Sequence, residues 1–350
     1  MTDSKKWYTQ SGPDGDVVLS TRIRLARNFS DIPFVGRMTD AQKAQVEGRV
    51  RDAVLNGNST LAGSFHYIDM EHCPHVQAVS LAERHLISPE FSQGAAGTAL
   101  LLLEDESVSI MVNEEDHLRV QVMRPGLDLN GAYDTADKID TLLDEKLNFA
   151  FHDRLGYLTQ CPTNLGTGMR ASVMLHLPAL QELGSMNQLA NTVAKLGLTI
   201  RGTYGEGSDA KGAVYQLSNQ VTLGISEQAA IENLRSIAQQ VIAQERNARK
   251  QLCADVRVQD RIWRSYGILT TARTLTVKEF TGLISNVRLG AATGILDIPM
   301  DVISRLLIDA MPGTMISRSE QDLDAAKADL ERARLVRDAL GPNRPQETQF

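Results

Sequence analysis

The sequence predicts an α+β protein in which a mixed region is followed by an all-helical one. Apolar runs rich in β-branched residues recur up to about residue 255, and amphipathic patterns with helical spacing lie between them. From about residue 256 the helical patterns continue without a strand between them. We therefore expect one domain over residues 1–255, in which helices flank a sheet, and a helical domain over residues 256–350.

Length and composition are those of a soluble globular protein. The chain has 350 residues, of which 42% are hydrophobic and 23% are charged, so it is long enough for two domains with buried cores. The net charge of −7 argues against a general nucleic-acid binder. We expect neither a signal peptide nor a membrane span, because no run approaches the roughly 20 apolar residues that a span needs.

The cysteine content predicts a reduced, cytoplasmic protein. Cys73, Cys161 and Cys253 lie far apart and form an odd number, which does not fit a disulfide framework. No CxxC pattern is present, and the histidines around Cys73 fit no standard zinc spacing. The sequence therefore assigns no metal ligands.

The first strand is expected over residues 16–28 and carries Arg22 and Arg24. Because alternate residues of a strand point to one side, both guanidinium groups should share a face. A buried arginine pair needs anions, whereas the plainer alternative is a solvated strand face. A helix follows over residues 39–55, with Asp40 as its expected cap.

The remaining elements follow from the same two periodicities. Further strands are expected over residues 99–103, 108–112, 118–122, 171–177, 198–202, 213–217 and 220–223. Further helices are expected over residues 134–149, 186–196, 227–253, 262–269, 277–289, 299–310 and 319–340. Ser226 is the expected cap of the helix that ends near residue 253.

A dense polar cluster separates the strands expected at 108–112 and 118–122. If extended pairing resumes early, Glu115, His117 and Arg119 share one face of the sheet, and Glu114 and Asp116 face elsewhere. Three consecutive carboxylates repel one another, so they need cations or water nearby. The cluster is either a solvated hairpin tip or an acidic pocket for a cationic substrate.

Two glycine-rich loops, residues 161–170 and residues 201–212, bring further charged groups. Residues 161–170 combine Cys161 with Gly166, Gly168 and Arg170, and the glycines would let backbone approach a ligand. Neither a P-loop nor a GxGxxG fingerprint is present. Taken from spacing alone, Cys161 is an inert thiol.

Together these arginines predict a cradle for a polyphosphate. Guanidinium forks and backbone N–H groups suit phosphate oxygens, and the cradle would draw on Arg22, Arg24, Arg119, Arg170 and Arg201. The carboxylates facing it would hold a cationic nitrogen nucleophile and accept its proton. Spacing alone does not establish that these loops meet in space.

Four sequence blocks resemble the phosphagen (guanidino) kinases. In chain order they read VVLSTRIRLARN, VNEEDHLRV, CPTNLGTGMRA and RGTYGEGS, and the likeness extends from about residue 14 to residue 255. The blocks are closer still to the bacterial protein-arginine kinases, whose helical C-terminal region is also similar to residues 256–350. The resemblance implies a phosphagen-kinase-like catalytic domain with an antiparallel sheet.

The resemblance also implies the site residues. Glu115 matches the catalytic carboxylate, Glu206 the second substrate carboxylate, and Cys161 the reactive cysteine. The implied nucleotide-binding residues are Ser20, Thr21, Arg22, Ile23, Arg24, His85, Arg119, Arg170, Ala171, Ser172, Val173, Met174, Arg201, Gly202, Thr203, Tyr204, Gly205 and Glu206. From spacing alone His85 is a structural histidine, so its role comes from the resemblance.

The implied activity is transfer of the ATP γ-phosphoryl group, with Mg²⁺ on the phosphates, to arginine side chains of proteins. Implied partners are protein substrates, a Clp-type protease that degrades the marked proteins, and a zinc-binding activator, with the kinase acting as a cytoplasmic homodimer. A small-molecule guanidino kinase and a pseudokinase adaptor remain as alternatives. Only 21 residues precede Arg22, which leaves no room for the helical domain that phosphagen kinases place there, so we expect an open acceptor side.

One departure from the pattern concerns the helical region. Protein-arginine kinases carry an RDxxRA phosphoarginine-sensing motif on a late helix, and the matching positions begin with Ala328 and Asp329 and end with Arg332 and Ala333. Because alanine replaces the leading arginine, the two-arginine clamp is halved. Whether phosphoarginine sensing survives is left open by the sequence.

Overall fold

An eight-stranded antiparallel sheet organises the mixed region. The computed structural model describes residues 6–57, 62–202, 211–319 and 324–341. The strands are β1 (Val18–Arg27), β2 (Phe65–Asp69), β3 (Ala99–Leu103), β4 (Val108–Val112), β5 (Leu118–Pro125), β6 (Phe151–His152), β7 (Gly156–Tyr157), β8 (Met169–His176), β9 (Leu198–Gly202) and β10 (Val214–Asn219). The order is β2-β3-β4-β5-β1-β8-β10-β9, and β6 and β7 form a separate pair. The predicted antiparallel sheet is confirmed.

The helices cover the sheet and form the C-terminal region. Their bounds are α1 (Asp40–Leu55), α2 (His75–Glu83), α3 (Leu129–Leu147), α4 (Pro178–Glu182), α5 (Met186–Ala194), α6 (Glu227–Leu252), α7 (Val256–Thr271), α8 (Val277–Ala292), α9 (Met300–Asp309), α10 (Pro312–Arg318) and α11 (Ala325–Leu340). Those residues after α6 that the structure describes form helices without strands, as predicted. No helix in the described ranges is long and apolar enough to cross a membrane.

Strand β1 is central because it pairs with β5 on one side and with β8 on the other. One of its faces is apolar, and Ile23 and Leu25 belong to the main hydrophobic core together with residues of α1, α3 and α6. Its other face carries the arginines. The alternation of the sequence therefore decides which side of the sheet packs and which side can bind.

Local capping agrees with the sequence except at α1. Its N-cap is Thr39, whose hydroxyl accepts a hydrogen bond from Gln42 N while the Gln42 side chain accepts one from Thr39 N. The prediction of Asp40 as the cap was wrong by one residue, and Asp40 lies in the first turn. Ser226 caps α6 through Ala229 N, as predicted.

Several predicted bounds need correction. Residues 220–223 form no strand, because Val221 and Leu223 are exposed and the Asn219 and Thr222 side chains bond to loop carbonyls instead. Strand β2 and helices α2, α4 and α10 were not predicted, since each is too short for a clear periodic pattern. Helix α3 begins five residues before the predicted start of 134, at Leu129.

A second hydrophobic core lies among helices α7, α8, α9 and α11. Arg332 is buried within it, where its Nε donates to Ala310 O at 2.8 Å and its Nη1 donates to Leu275 O at 2.7 Å. Its Nη1 also lies 2.5 Å from Asp329 Oδ1. The one arginine retained in the RDxxRA-like positions therefore ties three segments of this core together.

The helical region packs against one end of the sheet. Glu83, at the end of α2, accepts hydrogen bonds from Gly313 N and Thr314 N at the start of α10. His176 of β8 lies 2.9 Å from the Ser285 hydroxyl of α8. Helix α8 therefore packs against β8 at this end of the sheet, and helix α10 packs against α2.

Candidate active site

Arginines from three adjacent strands share one face of the sheet. Arg22 and Arg24 alternate to that face of β1, as predicted. In the registers, Arg24 lies opposite Arg170 of β8, and Ala26 lies opposite Arg119 of β5. Because residues directly opposite in antiparallel strands point the same way, sheet order brings together arginines that are far apart in sequence.

These guanidinium groups lie close enough to disfavour one another's charge. Burial lowers the pKa of Arg22 to about 10, with smaller contributions from Arg119 and Arg170. Burial and then the charge of Arg22 hold the pKa of Arg24 well below its usual range. The Nε groups of Arg24 and Arg170 are buried without a hydrogen-bond partner. An anion with several acceptor oxygens would meet both needs.

The middle of this face is held by a polar clamp. Arg22 Nη2 donates to Gln216 Oε1 of β10, and Arg22 Nε lies 3.4 Å from the Ser172 hydroxyl. The clamp joins β1, β8 and β10 next to the arginine cluster. Gln216 was not singled out from the sequence, because nothing local marks it.

Strand alternation sends four of the predicted nucleotide-binding residues to the opposite face. Thr21 is fully buried, and its hydroxyl donates to Gly126 O at 2.7 Å. Ile23, Ala171 and Val173 belong to the main hydrophobic core. The structure therefore does not bring the side chains of these four residues to the arginine face. Ser20, Ser172 and Met174 do lie on that face and line cavities there.

The carboxylates occupy the loop between β4 and β5. Glu115 Oε2 lies 2.9 Å from Arg119 Nη2, and Glu114 Oε2 lies 2.6 Å from Arg119 Nη1. Glu114 therefore faces the same cation as Glu115, contrary to the expectation that it faces elsewhere. Both carboxylates hold Arg119 between them, so its charge is balanced before any ligand binds.

His117 does not share the face of Glu115. Pairing resumes only at Leu118, and the His117 ring turns inward, where Nδ1 accepts from Phe29 N and Nε2 lies 2.9 Å from Pro33 O. Burial lowers the pKa of His117. The condition of early pairing that placed Glu115, His117 and Arg119 together is not met.

Asp116 joins the carboxylate loop to the cysteine loop. Its Oδ1 accepts from Asn28 Nδ2 at 2.6 Å and from Gln160 N at 2.7 Å. Burial raises the pKa of Asp116, and these two hydrogen bonds act in the opposite direction. Asp116, which follows Glu115, is thus hydrogen-bonded to Gln160, which precedes Cys161. This contact fixes the position of the carboxylate loop relative to the cysteine loop.

The cysteine loop carries two polar groups toward Glu115. Cys161 Sγ lies 3.0 Å from the Thr163 hydroxyl, and Asn164 Nδ2 lies 3.4 Å from Glu115 Oε2. Gly166 has a φ of +110°, and a Cβ there would lie 2.2 Å from Thr222 O. A Cβ on Gly168 would meet Arg27 and Ala26, and Gly168 also lines the cavity beside Arg170, so the approach of its backbone to a ligand stays a prediction.

The arginines, Glu115 and Cys161 line one cavity of about 190 Å³, here called the reaction cavity. Arg24, Arg119 and Arg170 supply positive charge to this cavity, and Glu115, Cys161 and Asn164 line it beside them. An anion and a cation can therefore occupy neighbouring positions. That arrangement suits transfer of a phosphoryl group to a cationic nitrogen nucleophile.

A cavity of about 160 Å³ lies farther along the same face, toward the helical region, and is here called the base cavity. Ser20, His85 and Met174 line it, and Trp7 and Arg288 contribute from the N-terminal segment and from α8. Both Trp7 Nε1 and Arg288 Nε are buried without a hydrogen-bond partner. An apolar cavity with two unpaired donors suits a flat ring that carries acceptor nitrogens.

His85 enters the base cavity from a strained turn after α2. Its φ is +61°, and its carbonyl accepts from Gln121 Nε2 at 2.7 Å. Burial, and then the charge of Arg22, lowers the pKa of His85 to about 4. The ring is therefore neutral at physiological pH.

The last predicted segment is only partly described. Arg201 is exposed at the end of β9 and lies opposite Gln216 in the register, and Gly202 lies opposite Tyr215. Burial is the main cause that lowers the pKa of Arg170, and the charge of Arg201 is the next largest. Thr203, Tyr204, Gly205 and Glu206 lie outside the described residues.

Sequence reasoning missed the residues that hold others in place. Asn164, Gln216 and Arg288 were not singled out, although Asn164 stands within the quoted block CPTNLGTGMRA. Their contacts join segments that are distant in sequence, so local patterns carry no signal for them. Arg288 has the clearest sign, an arginine at a buried position of an amphipathic helix.

Comparison with known families accounts for both regions of the chain. Residues 45–248 match the ATP:guanido phosphotransferase C-terminal catalytic domain. Residues 255–349 match the protein-arginine kinase McsB C-terminal domain. The first match ends four residues before the end of α6, and the second begins one residue before α7.

Curated relatives match along nearly the whole chain. A protein-arginine kinase from Caldanaerobacter subterraneus subsp. tengcongensis is 46% identical over 325 residues, which cover 92% of this chain and 96% of that one. A protein-arginine kinase from Brevibacillus brevis is 45% identical over 344 residues, which cover 97% and 96% of the two chains.

Solved structures with a similar fold include a taurocyamine kinase and a lombricine kinase. A duplicated taurocyamine kinase from Schistosoma mansoni, with bound transition-state-analogue components, has a TM-score of 0.59 and 29% identity. The match covers 66% of this chain and 33% of that one. A lombricine kinase has a TM-score of 0.59 and 26% identity, and the match covers 70% and 72% of the two chains.

Proposed function

This chain belongs to the ATP:guanido phosphotransferase family and, within it, to the protein-arginine kinases, and from that premise we propose how its site works. ATP lies along the arginine face of the sheet, with its base in the base cavity and its phosphates in the reaction cavity. The γ-phosphoryl group passes in line to an arginine guanidinium of a protein. The observation that carries the proposal is that Arg24, Arg119 and Arg170 line one cavity together with Glu115.

The arginines prepare the site for the phosphates. Their mutual repulsion and the unpaired Nε groups of Arg24 and Arg170 favour binding of a polyanion. As the phosphoryl group leaves, its oxygens stay within reach of the same forks, so developing charge is stabilised without reorganisation. Arg119 is freed for this role when the acceptor guanidinium takes over part of its pairing with Glu114 and Glu115.

Glu115 orients the acceptor and takes its proton. A free guanidinium has a pKa above about 12, so the base acts as the N–P bond forms and the proton leaves, not before. The O–P bond to ADP breaks in the same step, and ADP departs with the electron pair. Cys161 lines the same cavity, and we assign it to binding and tuning of the cationic acceptor. Glu206, as the second carboxylate, is proposed from the resemblance alone.

Mg²⁺ would be bound together with the nucleotide. Within the described ranges, no cluster of three or more His, Cys, Asp or Glu side chains is arranged to hold a metal ion. Glu114 and Glu115 are paired with Arg119. Phosphate oxygens and water would therefore supply the ligands, and the ion would neutralise phosphate charge.

The proposed acceptor is an arginine within a polypeptide. Support comes from curated relatives that are named protein-arginine kinases and that match almost the whole chain. Residues 255–349 also match the C-terminal domain of the protein-arginine kinase McsB. The test is incubation with ATP and either free arginine or an unfolded protein. Acid-labile phosphate should appear on the protein, and phosphate appearing only on free arginine would contradict the proposal.

The cellular context is proposed from the cysteines and from the family resemblance. A cytoplasmic location fits three cysteines that are all free. Marking of substrates for a Clp-type protease and the presence of a zinc-binding activator rest on the family resemblance. We also propose that residues 1–255 and 256–350 are separate domains, in line with the two family matches.

A homodimer is proposed from an apolar surface of the helical region. Val256 and Trp263 on α7 are 73% and 53% exposed. They lie seven residues apart, so they share a side of the helix. A second copy of the chain covering this side would remove both from water. Sedimentation of the wild type and Trp263→Lys tests this, and an unchanged molecular mass would contradict it.

A further inference from the structure

A cavity of about 430 Å³ lies beside the reaction cavity, and it is here called the flanking cavity. Its walls come from the segment after His85, including Glu90, Phe91 and Thr98, and from the loop that carries Asn113 and Glu114. Glu115 and Arg119 line both cavities. A polypeptide that presents an arginine to Glu115 therefore passes the mouth of the flanking cavity.

Asn113 lines the flanking cavity and carries an unsatisfied acceptor. The residue is 4% exposed, and its Nδ2 donates to Lys43 O at 3.0 Å and Gly97 O at 2.7 Å. These bonds fix the amide so that Oδ1 is buried without a hydrogen-bond partner. Buried acceptors in native proteins nearly always have partners, so this one suits a donor brought by a ligand.

The charges around the flanking cavity favour a cation. Glu90, Glu114 and Glu115 contribute three carboxylates, and Arg119 is the single basic side chain that lines it in the described part of the chain. Arg119 already lies within 3 Å of both Glu114 and Glu115. Glu114 also accepts from the Ser88 hydroxyl at 2.5 Å, which fixes its position. Two negative charges therefore remain unmatched.

We infer that the flanking cavity is a subsite for a lysine or arginine side chain next to the target arginine in the protein substrate. The ammonium or guanidinium head supplies donors to Asn113 Oδ1 and to the carboxylates. The Phe91 ring offers an apolar surface for the methylene stem. The inference rests on the proposed function, and it adds that target arginines with a basic neighbour are preferred.

The test compares two matched peptides, each with one target arginine and either lysine or glutamine within two residues of it. Hydrogen bonds to charged groups predict a kcat/KM about tenfold higher for the lysine peptide, chiefly through KM. In Glu90→Gln, which changes an exposed residue, this ratio should fall to about threefold or less. Glu90→Lys should bring it below one.

The controls separate this inference from the proposed function. Glu145→Gln changes an exposed glutamate of α3 that does not line the cavity, so it should keep the wild-type ratio. A wild-type ratio near one, or a ratio that Glu90→Lys leaves unchanged, overturns the subsite while arginine phosphorylation stands. Absence of phosphoarginine on every peptide and protein would instead overturn the proposed function, and the subsite with it.

Discussion

The substitution Glu115→Gln separates catalysis from stability at the centre of the site. The Glu115 side chain is 37% exposed, and its carboxylate pairs with Arg119, which keeps Glu114 as a second partner. An exposed ion pair contributes about 0–1 kcal/mol, so the free energy of unfolding should fall by less than about 1 kcal/mol. The amide keeps an acceptor for Asn164, so the loop should hold its place.

Catalysis should respond on a different scale. An amide cannot take the proton that leaves the acceptor guanidinium, and a positioned base contributes about 10² to 10⁴ in rate. At 1.36 kcal/mol for each factor of ten, the barrier should rise by about 2.7–5.4 kcal/mol. The loss should appear in kcat, while the KM for ATP changes little because the nucleotide contacts remain.

The assay pairs initial rates of phosphoarginine formation with urea unfolding of the same preparations. Glu145→Gln, at an exposed position of α3, serves as the matched carboxylate control and should change neither quantity. The reasoning is refuted if Glu115→Gln keeps more than about a tenth of the wild-type kcat. It is also refuted if the loss of rate follows a loss of folded protein.

Three further predictions address the support of the site. Arg249→Met should lower the free energy of unfolding by about 3–5 kcal/mol in urea titrations, because it leaves the fully buried Glu245 without its cation. Gly166→Ala should lower kcat at least about tenfold in initial-rate assays, because φ is +110° and the new Cβ would lie 2.2 Å from Thr222 O, which displaces the cysteine loop. Because the pKa of His85 falls to about 4 on folding, the unfolded state binds more protons between about pH 6.5 and 4. The free energy of unfolding should therefore fall from pH 7 to pH 5, by less in His85→Gln than in the wild type, with a difference of at most about 2 kcal/mol.

Each of these has a matched control or a contradicting result. Arg264→Met breaks an exposed pair with Asp260 and should change stability by less than about 0.5 kcal/mol. Gly184→Ala has a φ of +67° but open space around the new Cβ, so it should lower stability by only about 1–2 kcal/mol and leave kcat intact. Equal pH dependence in His85→Gln and wild type would contradict the assignment of His85.

The parts of the fold that follow from short-range patterns were predictable. The strand at β1, the arginine pair on one of its faces and the cap of α6 each depend on residues within a few positions of one another. The strand expected at 220–223 failed because apolar residues there are exposed, and periodicity does not reveal burial. Helix α2 was missed for the related reason that only three of its nine residues are buried.

The site depends on the pairing of strands that are far apart in the sequence, and local patterns do not predict which strands pair. Arg24 and Arg170 are about 146 positions apart in the sequence, and they lie opposite each other only because β8 pairs with β1. The orientation of His117 depends on where pairing resumes after the loop, and a one-residue change reverses every side chain. The family resemblance named Thr21 and Ile23 as binding residues because it carries over whole blocks, whereas the structure divides each block between two faces.

Mass spectrometry of a protein substrate, handled without acid after incubation with ATP, tests the central claim most directly. The account predicts phosphate on arginine side chains, formed by the wild type and lost with Glu115→Ala. Phosphate on serine, threonine or tyrosine in place of arginine would contradict it. Arginine phosphorylation undiminished by Glu115→Ala would equally contradict the role assigned to Glu115.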